Sequence, residues 1–210
     1  VSSKTEICNI ALSHIGVDKE IANIDTEKSE EARACRRFFD ITRKQFLRET
    51  HWNFASEFKP LALVTEDTDI GFAYAYRYPA DCMDVRKIGY PGEYDIDCLY
   101  DPIDAIVMPK SNYKVGRDVH GKLIYTNIDS AFIYYTMDQE DTSVFSSNAI
   151  MAMSYRLASL IVSRLSGGDF FKMRQELMQL YIMELSNARR DNNLEDSSPR
   201  RHESELVRVR

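Results

Sequence analysis

The hydrophobic period of this chain changes twice along its length, and that restricts the folds open to it. Up to about Thr50, apolar residues recur at helical spacing; from Trp52 to about Gln139 they alternate; from Thr142 the helical spacing returns. A chain with helices at both ends and strands between is an α+β protein. The pattern predicts an antiparallel helical bundle of about four helices, with an antiparallel β-sheet or small barrel inserted in it. The expected boundaries are N-terminal helices over 1–55, a β domain over 56–141, C-terminal helices over 142–191 and a flexible polar tail over 192–210.

Local signals place the elements. Ser3 and Glu6 have capping-box spacing, and Ile7, Cys8, Ala11, Leu12 and Ile15 form one helical stripe that Gly16 can end. A loop follows to about Lys28. Ser29 then precedes Glu30 and Glu31, carboxylates suited to the positive end of a helix running to about Thr50. Strand candidates are 72–78, 83–88, 112–115, 122–126 and 131–136, with 90–111 a long loop. Gly116 and Gly121 bracket a turn-rich connection. Thr142 reads as the cap of a third helix, Gly167 and Gly168 as its stop, and Asp169 as the cap of a fourth reaching about Arg190.

Composition narrows the function classes. The 210 residues carry 27 Lys and Arg against 33 Asp and Glu, a formal net charge of −6. A general nucleic-acid binder needs cations facing phosphate, so this balance argues against one; it still allows a protein past which DNA slides. No apolar run approaches the ~20 residues of a membrane span, and the opening from Val1 to Glu6 lacks a signal-peptide pattern. Cys8, Cys35, Cys82 and Cys98 have neither metal nor redox spacing and read as reduced thiols, Cys8 and Cys35 on apolar helix faces. His14, His51, His120 and His202 do not pair at ligand spacing. No nucleophile elbow, phosphate loop or dinucleotide fingerprint is present. The acidic pairs Asp95/Asp97 and Glu140/Asp141 are common in any acidic protein. The reading is therefore no catalytic residue, no metal ligand and no cofactor.

The sharpest local feature is a row of cations on the second helix: Arg33, Arg36, Arg37, Arg43, Lys44 and Arg48, set opposite Ala32, Cys35, Phe38, Phe39, Thr42 and Phe46. Charged faces are usually just solvated; the functional reading is a contact with another subunit. Trp52, with Phe54 and Phe58, marks the passage from helix to sheet and reads as a core plug. The end of the chain, with Arg200, Arg201, Leu206, Val207, Arg208, Val209 and Arg210, alternates apolar and charged residues and could add to another chain's sheet edge.

Several stretches, taken in order, resemble the podovirus tail tubular protein A family, the head–tail adaptors of short-tailed phages. Cys8-Asn-Ile-Ala-Leu-Ser-His-Ile-Gly16 resembles the family's "N-x-A-L-x-x-I-G" opening. Ser29 to Ala32, Cys35, Phe39, Arg43, Leu47 and Trp52-Asn-Phe-Ala55 resemble its second helix and "W-N-F-A" end. Phe72 to Cys82 is similar to its "Y-A-Y-x-x-P-x-D-C" strand and turn, 121–126 with 132–135 to its hairpin, and Leu157 to Leu160 with Ala188 to Asp191 to its closing helices. Asn127 stands where the family often has Asp.

The resemblance implies a structural virion protein rather than an enzyme, made in the host bacterial cytoplasm. It implies a homo-oligomeric ring, usually a dodecamer, bound to the portal protein on one side and to a tail nozzle or tail tube protein on the other. DNA passes through the lumen without specific binding, and no membrane is involved. Under it, the six cations of the second helix are assigned to inter-subunit contact and Arg200, Arg201 and Leu206 to Arg210 to portal docking. Two other readings stand beside it: a tail-associated glycan or peptidoglycan hydrolase, and a soluble peptide-binding module.

Overall fold

The computed structural model describes residues 3–66, 68, 71–90, 113–166 and 170–195. It is an α+β protein with four α-helices and two antiparallel sheets among those residues. Neither sheet closes into a barrel, so the small barrel is set aside in favour of open sheets. The chain divides into two compact units: a helical one, Val1–Ser56 with Thr136–Glu195, and a β unit within Glu57–Tyr135. The stretch 136–141, expected with the strands, belongs to the helical unit.

In the helical unit, α1 (Lys4–His14) is capped by Ser3, whose hydroxyl accepts from Glu6 N–H at 3.2 Å. Gly16, at φ 74°, takes the left-handed conformation that lets its own N–H and that of Val17 turn back to the Ser13 and Leu12 carbonyls. Helix α2 (Glu30–Arg48) is capped by Ser29. A single turn of 3₁₀ helix at Thr142–Val144 takes the place where the third helix was expected to begin. Asp141 caps that turn, and Ser146 caps α3 (Ser147–Leu165), so Thr142 is not the cap.

Helix α3 is the most buried element. Its hidden residues include Ala149, Met153, Leu157 and Ile161 along one line, but also Ile150, Ala152, Ala158 and Val162 off it. A helix apolar on most of its circumference must be surrounded, and α1, α2 and α4 (Phe170–Glu195) all pack on it. Gly167, Gly168 and Asp169 lie outside the described residues. Helix α4 runs past Arg190 to Glu195, so 192–195 are helix rather than tail. Asn192 is 7% exposed there.

Trp52 is fully buried, as a core plug should be. Its ring stacks on Phe46 (4.6 Å between centroids) and Phe54 (5.4 Å), and its indole N–H donates to the Phe46 carbonyl. Phe145 closes the cluster against Phe54 at 4.7 Å.

In the β unit, β1 (Ser56–Pro60), β7 (Phe132–Met137) and β4 (Cys82–Gly89) form a three-stranded sheet in that order. β2 (Leu63–Glu66), β3 (Tyr74–Arg77), β6 (Gly121–Thr126) and β5 (Tyr113–Asp118) form the other. β3 is interior, with Ala75 and Tyr76 both buried, so its aromatic alternation does not mark a wet face. Gly116 lies inside β5 rather than in the turn. A Cβ there would come within 2.5 Å of the Tyr125 ring, which covers the strand at that point. The turn itself is Val119 and His120, with Asp118 accepting from His120 N–H at 2.8 Å.

Candidate interaction surface

Helix α2 sorts its six cations into three kinds. The first is Arg43, which is 2% exposed. It lies four residues beyond Phe39 and eleven beyond Ala32, spacings that return a helix to the same side, so it belongs to the apolar face and not to the outer one. Its guanidinium donates to Asp138 at 2.6 Å and to the Gln139 carbonyl at 2.6 Å, with Asp40 Oδ1 3.9 Å from its Nε. Burying a guanidinium is costly unless it is paired in this way, and the pair ties α2 to the stretch after β7. An inter-subunit role for Arg43 is therefore withdrawn.

The second kind is bound but exposed. Lys44 makes an ion pair with Asp138 at 3.1 Å. Burial alone would raise the Asp138 carboxyl, but hydrogen bonds from Arg43 and Lys44 outweigh it and hold the group below the ordinary carboxylate value. Arg36 donates to the carbonyls of Ile24 (2.9 Å) and Glu27 (2.7 Å), so it holds the α1–α2 loop in place.

The third kind is Arg33, Arg37 and Arg48. All are exposed and, among the described residues, have no carboxylate partner. With Ile41 and Lys44 they occupy 33, 37, 41, 44 and 48, one ridge along the helix. Ile41, 55% exposed, is its apolar centre. A count of charges along the helix overlooks Ile41, because a lone apolar residue on a polar face carries no signal until the core face is known.

The loop of residues 17–29 is a second feature not legible in sequence. Ile21 and Ile24 are buried anchors. Asn9 receives Ile21 N–H at 2.9 Å and donates to the Ile21 carbonyl at 3.0 Å; Thr5 accepts from Ile24 N–H at 3.3 Å; Glu27 accepts from Ala22 N–H at 2.8 Å. Between this loop and α1 lies a polar cleft of about 540 Å³, lined in part by Ser3, Glu6, Ser13 and Glu20, with Ile10 and Ile21 beneath.

The β unit has its own polar cluster. Tyr135 is buried with its hydroxyl 2.9 Å from Glu57 Oε2 and 2.9 Å from Asp81 Oδ2, while Lys59 pairs with Asp81 at 3.1 Å. Burial and the two carboxylates push the Tyr135 phenol well above its ordinary value. Arg77 and Asp118 make a two-pronged ion pair, both prongs 3.0 Å, and Asp118 is held down to about 2 chiefly by that bond. Lys59 and Arg77, the cations of these pairs, line an open groove of about 530 Å³ that also meets Tyr78, Cys82, His120 and Lys122. Lys122 lies over the Tyr78 ring, 5.1 Å from its centroid.

Of the carboxylate pairs weighed for a hydrolase, only Glu140 and Asp141 fall among the described residues. Asp141 serves as a cap, and Asp95 and Asp97 lie outside the described residues. No group of three or more His, Cys, Asp or Glu among the described residues could hold a metal ion, and no described helix is long and apolar enough to cross a membrane. His14 stacks on Tyr155 at 4.0 Å and meets Ser154 at 3.0 Å; burial lowers its pKa. Cys8 and Cys35 are buried together, and the Cys8 thiol is pushed up by its hydrogen bond to Cys35 and by burial. Arg200, Arg201, Leu206, Val207, Arg208, Val209 and Arg210 lie outside the described residues, as do residues 91–111 of the expected loop 90–111. No protein-family model matches the chain, and a search of curated proteins finds no match to it.

Proposed function

We propose that this chain is a structural virion protein: a head–tail adaptor whose copies form a ring on the portal, extend the DNA channel and join it to the tail. The observation that carries the reading is the ridge of Arg33, Arg37, Lys44 and Arg48 around the exposed Ile41. Three guanidinium groups without carboxylate partners among the described residues, and an apolar centre, form a surface suited to a partner. Ordered motifs over most of 5–191 that resemble the adaptor family supply the identity of that partner as another copy of the chain.

In this reading the four helices form an antiparallel bundle, with α3 at its centre, and neighbouring bundles pack side by side around the ring. The bulk negative charge of −6 suits a lumen through which DNA moves without sticking. The ring meets the portal on one side and a nozzle or tail tube protein on the other, and it is located at the head–tail interface of the virion. Its role involves no bond-breaking and no cofactor. Residues 196–210 dock on the portal through Arg200, Arg201 and the Leu206–Arg210 alternation.

Electron microscopy of the protein mixed with its portal tests the reading. The expected result is a coaxial ring below the portal. Density off the symmetry axis, or no ordered density at all, would overturn it. Truncation after Glu195 is expected to abolish attachment to portal-bearing capsids while the helical unit stays folded.

A further inference from the structure

A closed ring needs two different surfaces on each subunit, one received by the other. The α2 ridge cannot receive itself, because face-to-face pairing would set guanidinium against guanidinium. Its partner on the next copy must therefore be acidic. The cleft between α1 and the 17–29 loop meets that requirement on the same helical unit. It is concave and mostly polar, and it carries Glu6 and Glu20; neither has a cationic partner among the described residues.

The loop is built to keep that shape. Two buried isoleucines and the bonds from Asn9, Thr5, Glu27 and Arg36 fix its backbone, so its carboxylates are presented without an ordering cost at association. Arg36, one of the six cations on α2, is thus part of the support for the acidic surface rather than of the basic one.

The geometry points to the cleft lined by Glu6 and Glu20 as the receptor for the Arg37–Ile41–Arg48 ridge of a second copy. The inference rests on the ring reading and adds what the ridge touches. Guanidinium groups enter beside the two carboxylates, and Ile41 meets the apolar floor at Ile10 and Ile21. Paired charges of this kind set register and raise the rate of encounter.

Sedimentation velocity on the full chain tests it. The wild type self-associates at low salt and returns to monomer at high salt. R37E/R48E and E6K/E20K are each monomeric at low salt, with unchanged circular dichroism and melting temperature. Their equimolar mixture regains the wild-type mass, because each variant then offers the surface that the other lacks. Should a reversal disturb folding, the neutral forms R37Q/R48Q and E6Q/E20Q replace it, each weakening association at least roughly tenfold. Association untouched by E6K/E20K, or a mixture that stays monomeric, overturns the pairing and leaves the coaxial ring to microscopy. A wild type that is monomeric at every protein concentration overturns the pairing as well. A ring seen on the portal whose formation both reversals leave intact shows that other surfaces close it.

Discussion

Asn53 donates twice to Asn192 across 139 positions of sequence: its backbone N–H to the Asn192 side-chain oxygen at 2.8 Å, and its side-chain amide to the Asn192 carbonyl at 2.9 Å. The Asn192 side-chain amide in turn donates to the His51 carbonyl at 2.8 Å. One buried amide thus satisfies the backbone that leaves α2, where the chain has no helical partners of its own.

Asn192→Ala should destabilise the helical unit by about 1–3 kcal/mol, because it leaves a donor and an acceptor near His51 and Asn53 unmet. Urea unfolding followed by circular dichroism measures this. Truncation before Asn192 should cost at least as much beyond the cost of truncation after Glu195. The two truncations together separate loss of the clasp from loss of the terminal segment.

Breaking the buried ion pair should be expensive. Arg43→Ala leaves Asp138 with only the exposed Lys44, and a loss of about 3 kcal/mol is expected. Arg33→Ala and Arg37→Ala, on the exposed ridge, should change stability by less than about 0.5 kcal/mol. Equal losses at all three positions would show that Arg43 is not special.

The Asp138 carboxyl is held below its ordinary value, so its contribution is present above the unfolded value and is lost as pH falls through the lower folded one. Melting temperature should therefore drop across the acid range below about pH 4. In Asp138→Asn that part of the acid slope should be absent, with a lower melting temperature at neutral pH. A slope identical to the wild type's would show that other carboxylates carry it.

Trp52 is the single tryptophan, so fluorescence reports on the aromatic cluster alone. Native emission should be blue-shifted and should move to the red when the helical unit opens. Trp52→Ala should cost about 3–5 kcal/mol by leaving a cavity among Phe46, Phe54 and Phe145.

Gly116→Ala forces a methyl against the Tyr125 ring and should destabilise by about 1–2 kcal/mol. Most of that loss should vanish in a Tyr125→Thr background, where the ring is gone. A double-mutant cycle without coupling between the two positions would remove the steric account.

What the sequence revealed followed how local each signal was. Helix α2 could be placed because Ser29 and the repeat of Cys35, Phe39 and Phe46 lie within the element itself. Arg43 was misplaced because charge was allowed to outrank angle; its spacing from Phe39 already put it on the inner side. β1 and β2 were missed for opposite reasons. Ser56–Pro60 is half-buried without alternation and ends in proline, and Leu63–Glu66 is exposed along its whole length. The end of α4 reads as polar because Asn192 is polar, and its partners at His51 and Asn53 are too far away in sequence to be guessed. The candidate surface was legible as a row of cations. The anchored loop of residues 17–29 was not, since its order comes from Asn9 and Thr5 on another element.

The helical unit is assembled from both ends of the chain, and this has a consequence during synthesis. At roughly 5–20 residues per second, α1 and α2 leave the ribosome roughly 5–20 seconds before α3 can cover them. In that interval Ile7, Leu12, Phe39 and Phe46 have no permanent shelter. The β unit between them, whose described strands end with β7 at Met137, can finish first. A nascent chain stalled after β7 should therefore bind chaperones through its oldest segment, and release from them should coincide with the emergence of Leu157 and Ile161.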